Sequence, residues 1–172
     1  MVEGTSPIDL RKAVVDTGPL FNALMLVFVR SSPTHSYAPQ RNALSDYLRD
    51  NPTKQRVFLE LFNSIKSVLI TSHVIGELTG LHKRAKLPSE EFWRSSMEYM
   101  RWKNVDERLL RLIEMHNSEE MRETLCLIGP TDAGLIELAR RESCVLLTDD
   151  ERTLATQSWR LGIECHLIRN LL

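Results

Sequence analysis

The sequence predicts an α/β fold in which helices cover both faces of a central parallel sheet of four to five strands, a three-layer α/β/α arrangement. Short apolar runs alternate with helical patterns along most of the chain. Strands separated by helices form parallel sheets with right-handed crossovers, because the chain must return across one face before it pairs again. The carboxyl ends of such strands meet at one edge of the sheet, where sites usually form.

Length and composition favour one globular domain. The chain has 172 residues, of which 42% are hydrophobic and 26% charged, values typical of a soluble protein that buries a substantial core. We therefore predict a single domain over 1–172, with a core at about 11–169 and helical elaborations at about 31–65 and 90–123. The three cysteines lack metal-type spacing, and we interpret them as buried, reduced thiols.

Each strand is predicted from a short apolar run that ends at a turn signal or a helix start. The expected strands are 11–16, 67–71, 144–148 and 163–168. A stretch at 125–129 is ambiguous between strand and loop. The three runs at 11–16, 67–71 and 144–148 are too short for helices and rich in Val, Ile and Leu, as expected for strands buried on both faces.

Helices are predicted between these strands from apolar periodicity and boundary residues. Pro19 fits the first turn of a helix, Ser72 and Thr131 are candidate N-caps, and Gly162 is a helix end. The expected helices are 17–30, two pieces within 41–65 that are broken at Asn51-Pro52, 72–84, 88–103, 105–122, 132–142 and 151–161, with a loop at 31–40.

The sequence favours a cytoplasmic protein without a membrane segment. Its N-terminus is polar and shows no signal peptide, and its most apolar stretch, 19–29, is about half the length of a membrane span. The formal net charge of −1 gives no overall electrostatic attraction for nucleic acid. A carboxylate-rich site lowers the net charge locally, so basic residues elsewhere remain available to bind phosphates.

Acidic residues recur at the predicted carboxyl edge of the sheet. Asp16 closes the first strand, Glu77 lies just over one turn into the helix after the second strand, and Asp132 opens a later helix. Asp149 and Asp150 directly follow the strand that ends at Thr148. Taken singly, each acid also fits a turn, a helix cap or the positive end of a helix dipole. Together they predict a cluster.

Clustered carboxylates indicate a divalent metal site. Two carboxylates about 4 Å apart repel by roughly 4 kcal/mol at an effective dielectric constant of about 20, so a cation is needed to hold several together. Hard oxygen ligands select Mg²⁺ or Mn²⁺, ions that activate water and neutralise charge during phosphodiester hydrolysis. The sequence shows no His or Cys cluster for zinc, no glycine-rich nucleotide loop and no Ser-His-Asp pattern.

Four segments of the chain carry a family resemblance. They resemble, in order, the four acidic motifs of PIN-domain ribonucleases, most closely those of the toxins in prokaryotic toxin–antitoxin pairs. The segments are Val14–Leu20 (VVDTGPL), Thr71–Leu78 (TSHVIGEL), Pro130–Ile136 (PTDAGLI) and Leu146–Asp150 (LLTDD). The resemblance spans roughly Val14 to Ile168 and implies an Mg²⁺- or Mn²⁺-dependent endoribonuclease.

The resemblance also implies roles for single residues. The catalytic acids are Asp16, Glu77, Asp132 and Asp150, and the metal ligands are Asp16, Asp132, Asp150 and the neighbouring Asp149. Hydroxyls of Thr17, Ser72 and Thr148 are expected to orient these carboxylates. Lys83, Arg84 and Lys86 follow the Glu77 helix and are candidates for binding the RNA backbone, although basic residues also favour a helix C-terminus for its dipole alone.

Partners and alternatives follow from the same comparison. An RNA substrate, a homodimer and a small antitoxin protein are the expected partners, and the aromatic helix around Trp93 and Met100 is a candidate for core packing or a dimer contact. The chain is longer than compact toxins, so a stand-alone RNA-processing nuclease and a catalytically silent interaction module remain alternatives. A phosphoacceptor domain fits poorly, because Asp16 has no acidic neighbour and Arg169 stands near the chain end where a lysine is needed.

Overall fold

A computed structural model describes residues 10–31, 43–116 and 118–172. The predicted parallel α/β fold is confirmed: five strands form one sheet in the order β3-β2-β1-β4-β5, and every neighbouring pair is parallel. Most of the loop expected at 31–40, and the first part of the helical region expected from Arg41, lie outside the described residues.

The strands and helices alternate along the chain. The strands are β1 (Lys12–Val15), β2 (Ser67–Thr71), β3 (Val105–Arg108), β4 (Val145–Thr148) and β5 (Cys165–Leu167). The helices are α1 (Thr17–Ser31), α2 (Asp46–Arg49), α3 (Pro52–Ser64), α4 (Ser72–Arg84), α5 (Ser89–Trp102), α6 (Glu119–Glu142) and α7 (Thr156–Arg160). Short 3₁₀ helices at Leu112–His116 and Ile168–Leu171 and a π-helical turn at Glu151–Ala155 complete the structure.

The direction in which the sheet grows reverses between β1 and β4. From β1 the chain adds β2 and then β3 on one side, and it later adds β4 and β5 on the other side. Such a reversal separates the loops that leave the two central strands, which creates a crevice at their carboxyl ends. The residues that follow Val15 and Thr148 therefore border this crevice.

The core lies on both faces of the three central strands. Residues 13–15, 68–70 and 145–147 are all buried, as expected for parallel strands covered by helices on both sides. Helix α1 packs with α3, α4 and α5, whereas α6 packs across β1, β2 and β4. None of the helices in the described ranges combines the length and the apolar character needed to cross a membrane.

The helix expected at 105–122 is wrong in its first part, where the structure has the edge strand β3. Its sequence, Val105–Arg108, is mostly charged and is no more than partly buried. An edge strand pairs on one side only, and charged side chains protect its open edge, so it lacks the apolar signal of a central strand. The charged composition of these residues therefore led to the prediction of an exposed helix where the structure has a polar edge strand.

The helix expected to begin at Asp132 begins slightly earlier, as the second of two helical pieces that meet at a kink within residues 119–142. Gly129 interrupts this range with a φ of 83° and a ψ of 173°, and Pro130 follows directly. The ambiguous stretch 125–129 is thus largely helical. A second helical piece begins at Pro130, so Thr131 lies within it and is not its N-cap. Ser72 is likewise the first residue of α4 and not its N-cap, which is Thr71.

All three cysteines are free, but they are not all buried as expected. Cys165 is buried, Cys144 is partly exposed and Cys126 is exposed. Cys126 lies in the part of α6 that the sequence left ambiguous between strand and loop. The break predicted at Asn51-Pro52 is confirmed, since α3 begins at Pro52 and the Asn51 side chain accepts a hydrogen bond from the Lys54 backbone N–H.

Candidate active site

Asp16 lies at the crevice between β1 and β4. Its backbone N–H donates to the carbonyl of Leu147, 3.0 Å away, which continues the parallel pairing of the two strands by one residue. The side chain is thereby placed beside the end of β4. Burial raises the pKa of Asp16, hydrogen bonds from Thr148 and Thr17 oppose this rise, and the negative charges of Glu77 and Asp150 add to it, so that the pKa is about 6.

Thr148 joins two of the acids. Its hydroxyl donates to Asp16 Oδ2 at 2.6 Å and accepts from the Asp150 backbone N–H at 2.9 Å. The side chain is fully buried, and with its proton committed to Asp16 it is fixed in one orientation. Asp150 is further held by the Thr153 N–H, which donates to Asp150 Oδ1 at 2.9 Å. These bonds leave Asp150 Oδ2 without a described hydrogen bond.

Thr17 connects Asp16 with Glu77 in the same way. The Thr17 hydroxyl donates to Glu77 Oε2, and its backbone N–H donates to Asp16 Oδ1. Thr17 is buried at the start of α1, whereas Glu77 is exposed on the second turn of α4. A carboxylate from the β2–α4 unit is therefore tied to the end of β1, although the two residues are far apart in the chain.

Asp132 approaches the other three acids from α6. The pKa of Asp132 is raised to about 7, mainly by burial and in addition by the charges of Asp16, Asp150 and Glu77. The structure therefore brings Asp16, Glu77, Asp132 and Asp150 within electrostatic range of one another. The kink at Gly129 starts a new helical direction three residues before Asp132, and this places its carboxylate at the crevice.

Burial and the neighbouring negative charges disfavour ionisation of Asp16 and Asp132. Asp16 and Asp132 bind protons more tightly than free carboxyls, and a bound cation would relieve the same repulsion. Among the residues that the structure describes, no three His, Cys, Asp or Glu side chains are close enough to form a finished metal-binding group. The oxygen donors fit a hard divalent ion in kind.

Asp149 is placed differently from the four. Its Oδ2 accepts a hydrogen bond of 2.7 Å from the hydroxyl of Tyr47 in α2. Burial raises the pKa of Asp149, whereas the Tyr47 hydrogen bond and the nearby charge of Arg169 oppose this rise. The four acids are not among the groups that shift this pKa. Tyr47 could not be identified from the sequence, because it belongs to no motif and its contact with Asp149 depends on the tertiary fold.

The expected basic residues lie at the far end of α4. Lys83, Arg84 and Lys86 are exposed, and Lys83 lies six residues beyond Glu77, about 9 Å along the helix axis. The adjacent His82 is buried, where its ring stacks on Phe92 with centroids 5.1 Å apart, so it is part of the core. Ser72 is partly buried at the start of α4.

Comparison with known proteins identifies the family. The PIN domain family matches residues 37–157, about 70% of the chain. The matched region contains Glu77, Asp132 and Asp150, whereas Asp16 precedes it. No curated protein and no solved structure matched the chain. From the extent of the family match, the chain belongs to the PIN domain family.

Proposed function

We propose that the protein is an endoribonuclease that hydrolyses RNA phosphodiester bonds with Mg²⁺ or Mn²⁺. Members of the PIN domain family are typically metal-dependent ribonucleases, and the family match supports a nuclease. The observation that carries the proposal is the mutual influence of Asp16, Glu77, Asp132 and Asp150 at the crevice between β1 and β4. An acidic group of this kind has no evident structural benefit, since its members repel one another.

Asp16, Asp132 and Asp150 would hold the ion. When bound, it supplies a water of lowered pKa and positive charge opposite the phosphate. Thr148 and Thr17 orient the carboxylates of Asp16 and Glu77 through the hydrogen bonds described above. Protons compete with the ion for Asp16 and Asp132, whose pKa values are about 6 and 7, so activity should rise between about pH 6 and pH 8.

The direct test is cleavage of a labelled RNA by the purified full chain. We expect cleavage with Mg²⁺ or Mn²⁺, none with EDTA, and a loss of at least about 100-fold in Asp16→Asn. Asp106→Asn is the matched control, because Asp106 is paired with Arg108 on β3 at 2.8 Å and is not one of the four acids. RNA binding without cleavage in the wild-type chain would favour the catalytically silent alternative.

Lys83, Arg84 and Lys86 are proposed to contact the RNA backbone beyond the cleavage site. Their exposure and their position beyond Glu77 on one helix support this role. Joint replacement by alanine should raise KM for RNA and make it less dependent on salt, with kcat almost unchanged. An unchanged salt dependence would assign these residues to the helix dipole alone.

The proposed assembly and biological role need separate tests. Helix α5 buries Phe92, Tyr99 and Met100, but it exposes Met97 and Trp102 by 60% and 67%, which supports a homodimer formed through this helix. A monomeric mass by light scattering at micromolar concentration would contradict the dimer. Inhibition of cleavage by the product of a neighbouring small gene would distinguish a toxin from a stand-alone nuclease.

A further inference from the structure

Tyr47 and Asp149 form a polar contact next to the acidic group. The Tyr47 hydroxyl donates to Asp149 Oδ2 at 2.7 Å. Burial and the negative charge of Asp149 both raise the pKa of Tyr47, so its phenol keeps the proton that it donates. Asp149 is the residue between Thr148 and Asp150, and a constraint on its side chain therefore restricts the turn that presents Asp150.

The Tyr47 end of this contact is anchored to α1. Asn22, which is buried in α1, donates from Nδ2 to the Ser45 hydroxyl at 2.8 Å and accepts from the Ser45 backbone N–H at 3.1 Å. Ser45 is the N-cap residue of α2. Because α1 begins directly after Asp16, these bonds connect the end of β1, through α1 and α2, to the turn after β4.

The other side of the same turn is also constrained. Glu151 forms an ion pair with Arg169 in the last 3₁₀ helix, and Arg169 also lies close enough to Asp149 to stabilise its charge. Asp150 itself caps the π-helical turn through Thr153. Contacts with α2, with the last 3₁₀ helix and within the turn itself therefore restrict the turn that carries Asp150.

We propose that Tyr47 is a positioning residue that, through Asp149, sets the carboxylate of Asp150 for a divalent ion. This inference rests on the proposed function, and it gives Asp149 an orienting role in place of a ligand role. Partners that touch a metal ligand directly typically change metal affinity by about 10- to 100-fold when removed. Tyr47 acts one residue further away, so we expect a loss of about threefold to tenfold.

The test compares Mn²⁺ binding by the full chain, measured by calorimetry, in Tyr47→Phe and Tyr99→Phe. Tyr99 is the matched control, because its hydroxyl also donates at 2.7 Å, to Asn63 Oδ1. Tyr99 is buried and Tyr47 partly buried, so neither side chain is fully exposed. Both variants lose one hydroxyl and one hydrogen bond, so their losses in unfolding free energy should be similar. Only Tyr47→Phe should weaken Mn²⁺ binding, with a matching shift in the Mn²⁺ dependence of cleavage.

Three results would overturn the proposed positioning role of Tyr47. Affinities of Tyr47→Phe within about twofold of the wild type, or equal losses in both variants, would overturn the positioning role. Asp149→Asn retains an oxygen that can accept from Tyr47, so its loss should not exceed that of Tyr47→Phe. A larger loss would make Asp149 itself a ligand and overturn the inference. Failure of the wild-type chain to bind Mn²⁺ would instead refute the proposed function, on which the inference depends.

Discussion

Replacing Asp132 with asparagine should stabilise the metal-free protein and at the same time abolish RNA cleavage. Asp132 is partly buried, and burial together with the smaller effects of the charges of Asp16, Asp150 and Glu77 raises its pKa from 3.8 to about 7. Asparagine is nearly the same size and carries no charge, so it removes the repulsion without leaving a cavity. Opposite effects on stability and activity are expected where a protein maintains a strained group for its function.

The size of the stabilisation follows from the pKa. The difference between 3.8 and about 7 corresponds to about 4 kcal/mol, at about 1.4 kcal/mol for each tenfold change in proton affinity. Partial exposure of Asp132 to solvent screens the repulsion, and we therefore expect about 1–3 kcal/mol above pH 8. The folded protein binds this proton more tightly than the unfolded chain, so wild-type stability falls as the pH rises from about 4 to 7.

Urea unfolding in EDTA at several pH values provides the assay. The stability advantage of Asp132→Asn should be full above pH 8, shrink below pH 7 and vanish near pH 4. Glu142→Gln is the control with the opposite sign, because the bond from Lys12 lowers the pKa of Glu142 and the variant should lose a little stability at neutral pH. A variant of Asp132 that is less stable than the wild type at pH 8, or a difference independent of pH, would refute the reasoning.

Two further substitutions test the residues that position the acidic side chains of the site. Thr148→Val removes the hydroxyl that joins Asp16 and Asp150. Titration of cleavage with metal should show a metal affinity lower by about 10- to 100-fold, and urea unfolding should show a free energy of unfolding lower by about 1–3 kcal/mol. An unchanged metal dependence would contradict the bridging role. Gly129→Ala places a side chain at a φ of 83°, a conformation nearly restricted to glycine, and should cost about 1–3 kcal/mol by thermal unfolding. Gly76→Ala on α4, with open space around the new methyl group, should be neutral or stabilising; equal losses in the two glycine variants would show that backbone strain is not the cause.

Much of the fold was predictable because buried central strands have short, mostly apolar sequences. The strands β1, β2 and β4 are short apolar runs, and their boundaries were predicted to within one residue at most ends. The strand β3 was missed, since an edge strand needs hydrogen bonds from only one neighbour and can be almost entirely charged. The division of α6 near Gly129 and Pro130 was predicted to within about two residues, but the helical stretch that directly precedes Gly129 was left ambiguous between strand and loop.

The candidate site was predictable only where topology controls it. Asp16 and Asp150 follow adjacent parallel strands, so the carboxyl-end rule brings them together whatever the surrounding side chains are. The direction of Asp149 is not set by that rule. It depends on Tyr47, whose helix α2 lies about a hundred residues earlier in the chain, and a contact of this kind has no local sequence pattern.

Anomalous diffraction from crystals of the full chain grown with Mn²⁺ tests the central claim most directly, because it locates the ion without reference to activity. We predict a strong Mn²⁺ peak in the crevice between β1 and β4, coordinated by carboxylate oxygens of Asp16, Asp132 and Asp150, and absent in crystals of Asp16→Asn. Crystals that contain Mn²⁺ only at other surfaces, with these carboxylates still apart, would contradict the claim that the four acids form a metal-dependent active site.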